Sequence, residues 1–151
     1  MTGLTDDVGF LLTRASGLVV RATNTALADL GLRVRQYSVL TLADDSSDGI
    51  SQRDLAEVLG LDPSQVVALV DELAAAELVE RRPSPTDRRQ RLVAATANGV
   101  RLRRRADTAA AAGVQRQLGD LTAEEQQTLR GLLQRVVAGP DDVGEETRRA
   151  G

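Results

Sequence analysis

Nine arginines stand in the stretch from Arg81 to Arg105, at positions 81, 82, 88, 89, 91, 101, 103, 104 and 105, against a single acid, Asp87. That stretch carries a net charge of +8 in a chain whose net charge is −3, so the remaining residues together carry −11. A guanidinium is a permanently charged, planar donor that can hold a phosphate through two hydrogen bonds at once. Duplex DNA presents one negative charge about every 1.7 Å along its axis, and each phosphate neutralised by a basic side chain releases condensed counterions. An acidic protein can therefore bind DNA if its positive charge is gathered on one docking face. The whole-chain charge hides that option.

What the chain lacks narrows the other chemistry. It has no Cys and no His, and all nineteen of its basic residues are Arg. Thiolate nucleophiles, disulfides, imidazole bases and Schiff-base lysines are excluded, and so are ordinary zinc, copper and haem sites. Asp and Glu scatter over helix faces instead of converging, so a carboxylate-dependent hydrolase has no support, and no catalytic residue, metal or cofactor is expected. With 151 residues, 42% hydrophobic and 27% charged, the chain can bury a core of its own. No apolar run approaches the roughly 20 residues of a membrane span. The acidic start "MTGLTDDVGF" is unlike a secretory signal, so a cytoplasmic location is expected and no membrane partner.

The elements that must position the arginines follow from periodicity and punctuation. Apolar residues from Val8 to Leu30 recur at helical spacing and stop at Gly31, which predicts a long first helix. A second spans "RQYSVLTLAD" and ends at the polar loop "DDSSDG". Ser51 caps a short third helix, with Asp54 in its first turn and Gly60 at its end. Asp62, Pro63 and Gln65 then make the start of a fourth helix, with an inward stripe of Val66, Leu69, Val70 and Leu73. Two helices joined by a glycine-bearing turn are the helix-turn-helix arrangement. The runs "LVERR" and "RQRLVAAT", separated by "PSPTD", predict a two-stranded hairpin with a basic tip. Helix resumes after Thr96 as a fifth element through Leu118, and Thr122 with Glu125 caps a sixth whose apolar face is Leu129, Leu132, Leu133, Val136 and Val137.

The expected fold is thus mainly α with a small β-hairpin: a winged helix-turn-helix flanked by N- and C-terminal dimerisation helices. Residues 1–32 form the N-terminal dimerisation helix, 33–96 the DNA-binding part, 97–138 the C-terminal dimerisation helices, and 139–151 a polar tail. Long terminal helices leave more apolar surface than a small winged helix covers, which points to a homodimer. A two-fold dimer reads a pseudo-palindrome with half-sites about 10 bp apart. The helix opening at Pro63 would enter the major groove, with Ser64 and Gln65 reaching base edges and Val67 and Ala68 meeting thymine methyls. Ser51, Gln52 and Arg53 would support it. Arg81, Arg82, Arg88, Arg89 and Arg91 would lie along the backbone or in a narrow minor groove, while for Arg101, Arg103, Arg104 and Arg105 both phosphate contact and ion pairing with acids of neighbouring helices stay open.

At these residues the sequence resembles the MarR family of bacterial transcriptional regulators. The family's wing signature, D-x-R-x-x-x-x-x-L-T followed soon by Gly, is met by Asp87, Arg89, Thr96 and Gly99, and "LAEVLGLDPSQVVALVDELAAAELVERR" is similar to its helix-turn-helix and first wing strand. The resemblance covers roughly Val8 to Val137. It implies that Arg89 enters the minor groove, that Asp87 orients wing arginines by ion pairing, and that the first, fifth and sixth helices form the dimer interface. It also implies a small anionic or phenolic effector, held between the dimer helices and the winged helix, that releases a repressor from its operator. Phe10 and Tyr37 are the two aromatic residues available to stack on such a ligand, Tyr37 being better suited to the core, and Arg14 and Arg21 could pair with its carboxylate. Three positions depart from the family pattern: Ala95 replaces the signature Leu, Ala68 stands where many members carry Arg, and Glu77 replaces a helix-ending Gly. The competing reading is a winged-helix module that meets an acidic protein partner and binds no specific DNA.

Overall fold

The computed structural model describes residues 3–139. Residues 1 and 2 of the expected first segment, and the expected polar tail from residue 140 on, lie outside the described residues. Helix α1 runs Val8–Leu27 and continues as a 3-10 turn, Ala28–Leu30. It is followed by α2 (Val34–Asp45), α3 (Gln52–Leu59), α4 (Pro63–Ala75), strands β1 (Val79–Pro83) and β2 (Arg91–Ala95), and helices α5 (Ala97–Leu118) and α6 (Ala123–Ala138). The chain divides into two compact units within α5, after Val114.

In the first unit, α2, α3, α4 and the hairpin share one core. Leu27, Leu40, Leu55, Val66, Val70, Leu73, Val79 and Val93 are buried in it together, so each element contributes an inward stripe and none could be stable alone. The strands pair antiparallel in the register Val79↔Ala95 to Pro83↔Arg91. Ile50, just before α3, pairs with Val93 on the other edge of β2 through reciprocal bonds of 2.8 and 2.9 Å. That bond ties the wing to the helix-turn-helix. Pro83 ends β1 as an outer residue, where its missing N–H costs no ladder bond.

The ends of the turn after α1, of α3 and of α4 share a left-handed residue, with one exception in residue type. After α4, Leu78 N–H donates to Leu73 O and Glu77 N–H to Ala74 O, the paired bonds of a Schellman motif. The residue at its left-handed position is Glu77, with φ 59°, where Gly60 and Gly31 do the same job at the ends of α3 and of the turn after α1. The departure noted in the sequence is therefore a backbone constraint kept with an unfavourable side chain. Gly99, in the wing signature, has a different reason to be Gly: a Cβ there would collide with Leu78 O. The start of α5 rests on that carbonyl.

α5 crosses α1 closely, with Gly113 against the backbone of Thr23. It is also joined to α2 by a polar knot. Arg103 faces Asp44 at 3.3 Å, Asp45 at 3.2 Å and Asp107 at 3.3 Å, and Tyr37 donates to Asp107 at 2.7 Å. Burial foremost, then donation to Asp107 and that carboxylate's charge, pushes the Tyr37 phenol above its ordinary value. Tyr37 packs against the core as expected. In the second unit, Thr122 Oγ1 accepts from Glu125 N–H and Glu125 returns the bond to Thr122 N–H, which is the expected capping box.

Candidate nucleic-acid interface

The wing tip is held in one shape by short polar contacts. Ser84, almost fully buried, takes the backbone N–H groups of Thr86 and Asp87 on its hydroxyl, and its own N–H donates to Gln90 O at 2.8 Å. Asp87 Oδ1 accepts from Arg89 N–H at 3.0 Å, an Asx-type turn. Among the described residues Asp87 pairs with no guanidinium, so it orients the wing through the backbone and not by the ion pairing that the family resemblance implied. Arg82, Arg88, Arg89 and Arg91 are all exposed around this tip.

Arg81 differs from them. Its Nη2 donates to Asp71 Oδ1 of α4 at 2.6 Å, and Nε and Nη2 both reach Gln52 Oε1 of α3, at 3.2 and 3.1 Å. It braces β1 against both helices of the helix-turn-helix, so here it is a structural cation and not a free phosphate ligand as expected. Gln52 is the other half of that brace. Ser51 caps α3, accepting from Asp54 N–H at 3.0 Å and donating to Asp54 Oδ2 at 2.7 Å, and Arg53 is exposed beside it.

α4 sorts its residues onto three faces at helical spacing. Val66, Leu69, Val70 and Leu73 are buried. Ser64, Val67 and Asp71 follow one another at i, i+3 and i+7 on the side to which Arg81 reaches, and all three are exposed. Pro63 opens the helix at its first position. Gln65 and Ala68 turn toward α1 and α2 and line a cleft of about 590 Å³ together with Val20, Asn24, Arg33, Val34, Arg35 and Leu69. Gln65 Oε1 also accepts from Asp62 N–H at 3.2 Å. The base-reading roles expected for Gln65 and Ala68 thus fall on residues that face a cavity, while Ser64 and Val67 stay on the open side.

The cleft itself is built on the end of α1 and the start of α2. Asn24 Oδ1 accepts from Val34 N–H at 2.8 Å and Gln36 Oε1 from Arg33 N–H at 3.0 Å. Four of its lining residues are apolar and two are cationic, Arg33 and Arg35. Phe10, Tyr37, Arg14 and Arg21, the residues considered from sequence, are not among those that line it. The missed signal was "RVR" across the start of the second helix: alternate residues at a helix start put two guanidiniums near one mouth. Of the four arginines left open in α5, Arg103 is fixed by three carboxylates, Arg101 donates to Asn98, and Arg104 and Arg105 are exposed.

Outside the first unit, α6 buries none of its residues within the chain; Val136 is 65% exposed and Val137 85%. The first half of α1 is similarly bare, with Val8 at 70% and Leu11 at 47%. No helix among the described residues is long and apolar enough to cross a membrane.

Comparison with known proteins gives consistent results. Residues 30–90 match the MarR family. The fold is similar to that of CouR from Rhodococcus jostii RHA1 bound to p-coumaroyl-CoA, with 45% identity, a TM-score of 0.85 and coverage of 91% of this chain and 96% of that one. It is also similar to a mutant MarR from E. coli complexed with operator DNA, at 28% identity, TM-score 0.75, and coverage of 85% and 92%. In sequence it is 29% identical over 136 residues, 89% of this chain and 97% of the relative, to the HTH-type transcriptional repressor Rv2887 of Mycobacterium tuberculosis.

Proposed function

The chain belongs to the MarR family of DNA-binding transcriptional regulators, and from that premise we propose that it acts as a homodimeric repressor whose wings grip DNA phosphates and whose cleft takes an anionic effector. Residues 33–96 are the DNA-binding part, and residues 1–32 and 97–138 make the dimer. The protein works in the cytoplasm and catalyses no reaction. Its DNA site is a pseudo-palindrome, because a two-fold dimer presents two identical reading heads.

The observation that carries the reading is the charge distribution at the wing. Arg82, Arg88, Arg89 and Arg91 are exposed on a tip pinned by Ser84 and Asp87, beside an α4 face that holds Ser64 and Val67. Ser64 can donate to or accept from a base edge, and Val67 suits a thymine methyl. α4 itself carries no basic residue. The wing therefore supplies the electrostatic part of binding and α4 the sequence preference. Gln65 and Ala68 face the cleft and are assigned to the effector and not to the bases.

For the effector, a volume of about 590 Å³ suits a small organic ligand or the acyl end of a larger one whose remainder lies outside the cleft. The apolar wall of Val20, Val34, Ala68 and Leu69 takes its body, and Arg33 with Arg35 takes its negative charge. The lining has no aromatic residue, so charge and aliphatic contact decide the choice, and an acyl-coenzyme A thioester of the kind carried by CouR is the class best matched. Titrating duplex DNA with the purified dimer, with and without p-coumaroyl-CoA, tests both halves. Binding that weakens steeply with salt, and weakens again with the thioester, is expected. Salt-insensitive binding would favour an acidic protein as the partner of the wing.

A further inference from the structure

The contacts of Glu72, on the cleft-facing side of α4, are explained neither by the core nor by DNA. Its Oε2 accepts from Gln36 Nε2 at 2.7 Å and from Arg33 Nη2 at 3.4 Å. Gln36 uses the other end of its amide to cap α2. One carboxylate thus fastens the start of α2, which walls the cleft, to the helix that reads DNA. Gln65, Ala68 and Glu72 fall at i, i+3 and i+7, so Glu72 sits in line with the two α4 residues that line the cleft.

We infer that Glu72 is a built-in competitor for the effector. In the free protein it holds Arg33 and Gln36 and adds a polar tie to the core that α2 and α4 share. An anionic ligand that engages Arg33 and Arg35 together takes Arg33 from Glu72, and the polar fastening between the recognition helix and the cleft wall is loosened to its Gln36 bond. The ligand class is set by this exchange: it must carry more negative charge than one carboxylate, as a phosphate or pyrophosphate does, because Glu72 is itself a carboxylate and competes with a single carboxylate on equal terms. The pair is exposed, with side chains 67% and 48% accessible. It is therefore weak enough for a ligand to break, and its removal should change affinity about two- to fivefold and not by orders of magnitude.

This inference rests on the reading of the cleft as an effector site, and the test separates the two. The affinity of the full chain for p-coumaroyl-CoA and for coenzyme A is measured at fixed salt by calorimetry, in the wild type, Glu72→Gln, Glu72→Ala and Asp71→Asn. Asp71 carries the same charge one residue away but is bound to Arg81 on the wing side, so Asp71→Asn reports the general loss of an acid. The expected result is tighter ligand binding by about two- to fivefold in both Glu72 variants and a smaller change in Asp71→Asn. The factor by which saturating p-coumaroyl-CoA weakens DNA binding should fall in the Glu72 variants, since coupling through this contact is reciprocal. If the ligands bind the wild type and the Glu72 variants alike, or if Asp71→Asn matches them, the competitor role is overturned and the effector site stands. If neither ligand binds any of the proteins, the effector class proposed for the cleft fails and the competitor role fails with it.

Discussion

At the level of single residues, the difference between a cation and a DNA ligand is decided by partners that a sequence does not display. Arg81 and Arg82 are neighbours in one strand, yet Arg81 is bound to Asp71 and Gln52, while Arg82 is exposed at the wing. The partners lie 10 and 29 residues away, and no local pattern links them. Arg89→Ala should weaken binding to every duplex and lower the salt slope by about one for each wing, measured by fluorescence anisotropy at several ionic strengths. An unchanged slope would remove Arg89 from the interface. Ser64→Ala should instead cost more on a preferred site than on random DNA, and equal losses would contradict a reading role. Tyr37 gives an independent check on the α2–α5 knot. It is the only tyrosine and there is no tryptophan, so ultraviolet titration follows one group. Its midpoint should exceed the ordinary value of about 10, and Asp107→Asn should bring it down without abolishing the shift, because burial is the larger cause. The raised folded value means that this contribution to stability is complete below the unfolded midpoint and is lost as pH rises through the folded one. A midpoint at the peptide value would contradict the packing described for Tyr37.

At the level of elements, the sequence was legible wherever a start or stop has local chemistry. Ser51, Pro63, Thr122, Gly31 and Gly60 mark helix ends that the structure places within a residue or two of expectation. The two prolines of "PSPTD" marked the wing turn, although Pro83 finishes β1 instead of leaving it. What was not legible was which face of α4 is free. Gln65 and Ala68 look outward on a helical projection and face a cleft only because α1 and α2 pack beside them. Gly99 could be noted from its motif, but its cause, the carbonyl of Leu78 lying against it, is a tertiary contact. Gly99→Ala should destabilise the chain by about 1–3 kcal/mol in chemical denaturation, the usual cost of forcing extra volume into a packed contact. Glu77→Gly should act in the opposite direction by a smaller amount, about 1 kcal/mol, since it relieves a left-handed non-glycine. A loss of stability in Glu77→Gly would show that the side chain compensates for its backbone.

At the level of the whole molecule, two features of the composition acquire a location. The apolar residues of α6 and of the first half of α1 match the stripes foreseen in the sequence, but within one chain they stay exposed. Val8→Glu with Val136→Glu should leave the fold of one chain nearly unaltered, as exposed substitutions do, and should shift sedimentation from dimer to monomer. A dimer that persists would place the interface elsewhere. The second feature is the separation of +8 in one stretch from −11 in the rest, with the wing arginines turned outward and Arg81 and Arg103 consumed internally. The central claim is that this acidic protein binds DNA through that wing, and the most direct test is the salt dependence of binding to a random-sequence duplex, which isolates the phosphate contribution. The wild type should show a steep linear fall of log affinity with log salt, and Arg88→Ala/Arg89→Ala/Arg91→Ala should flatten it by several units per dimer. An identical slope in the two proteins would contradict the account.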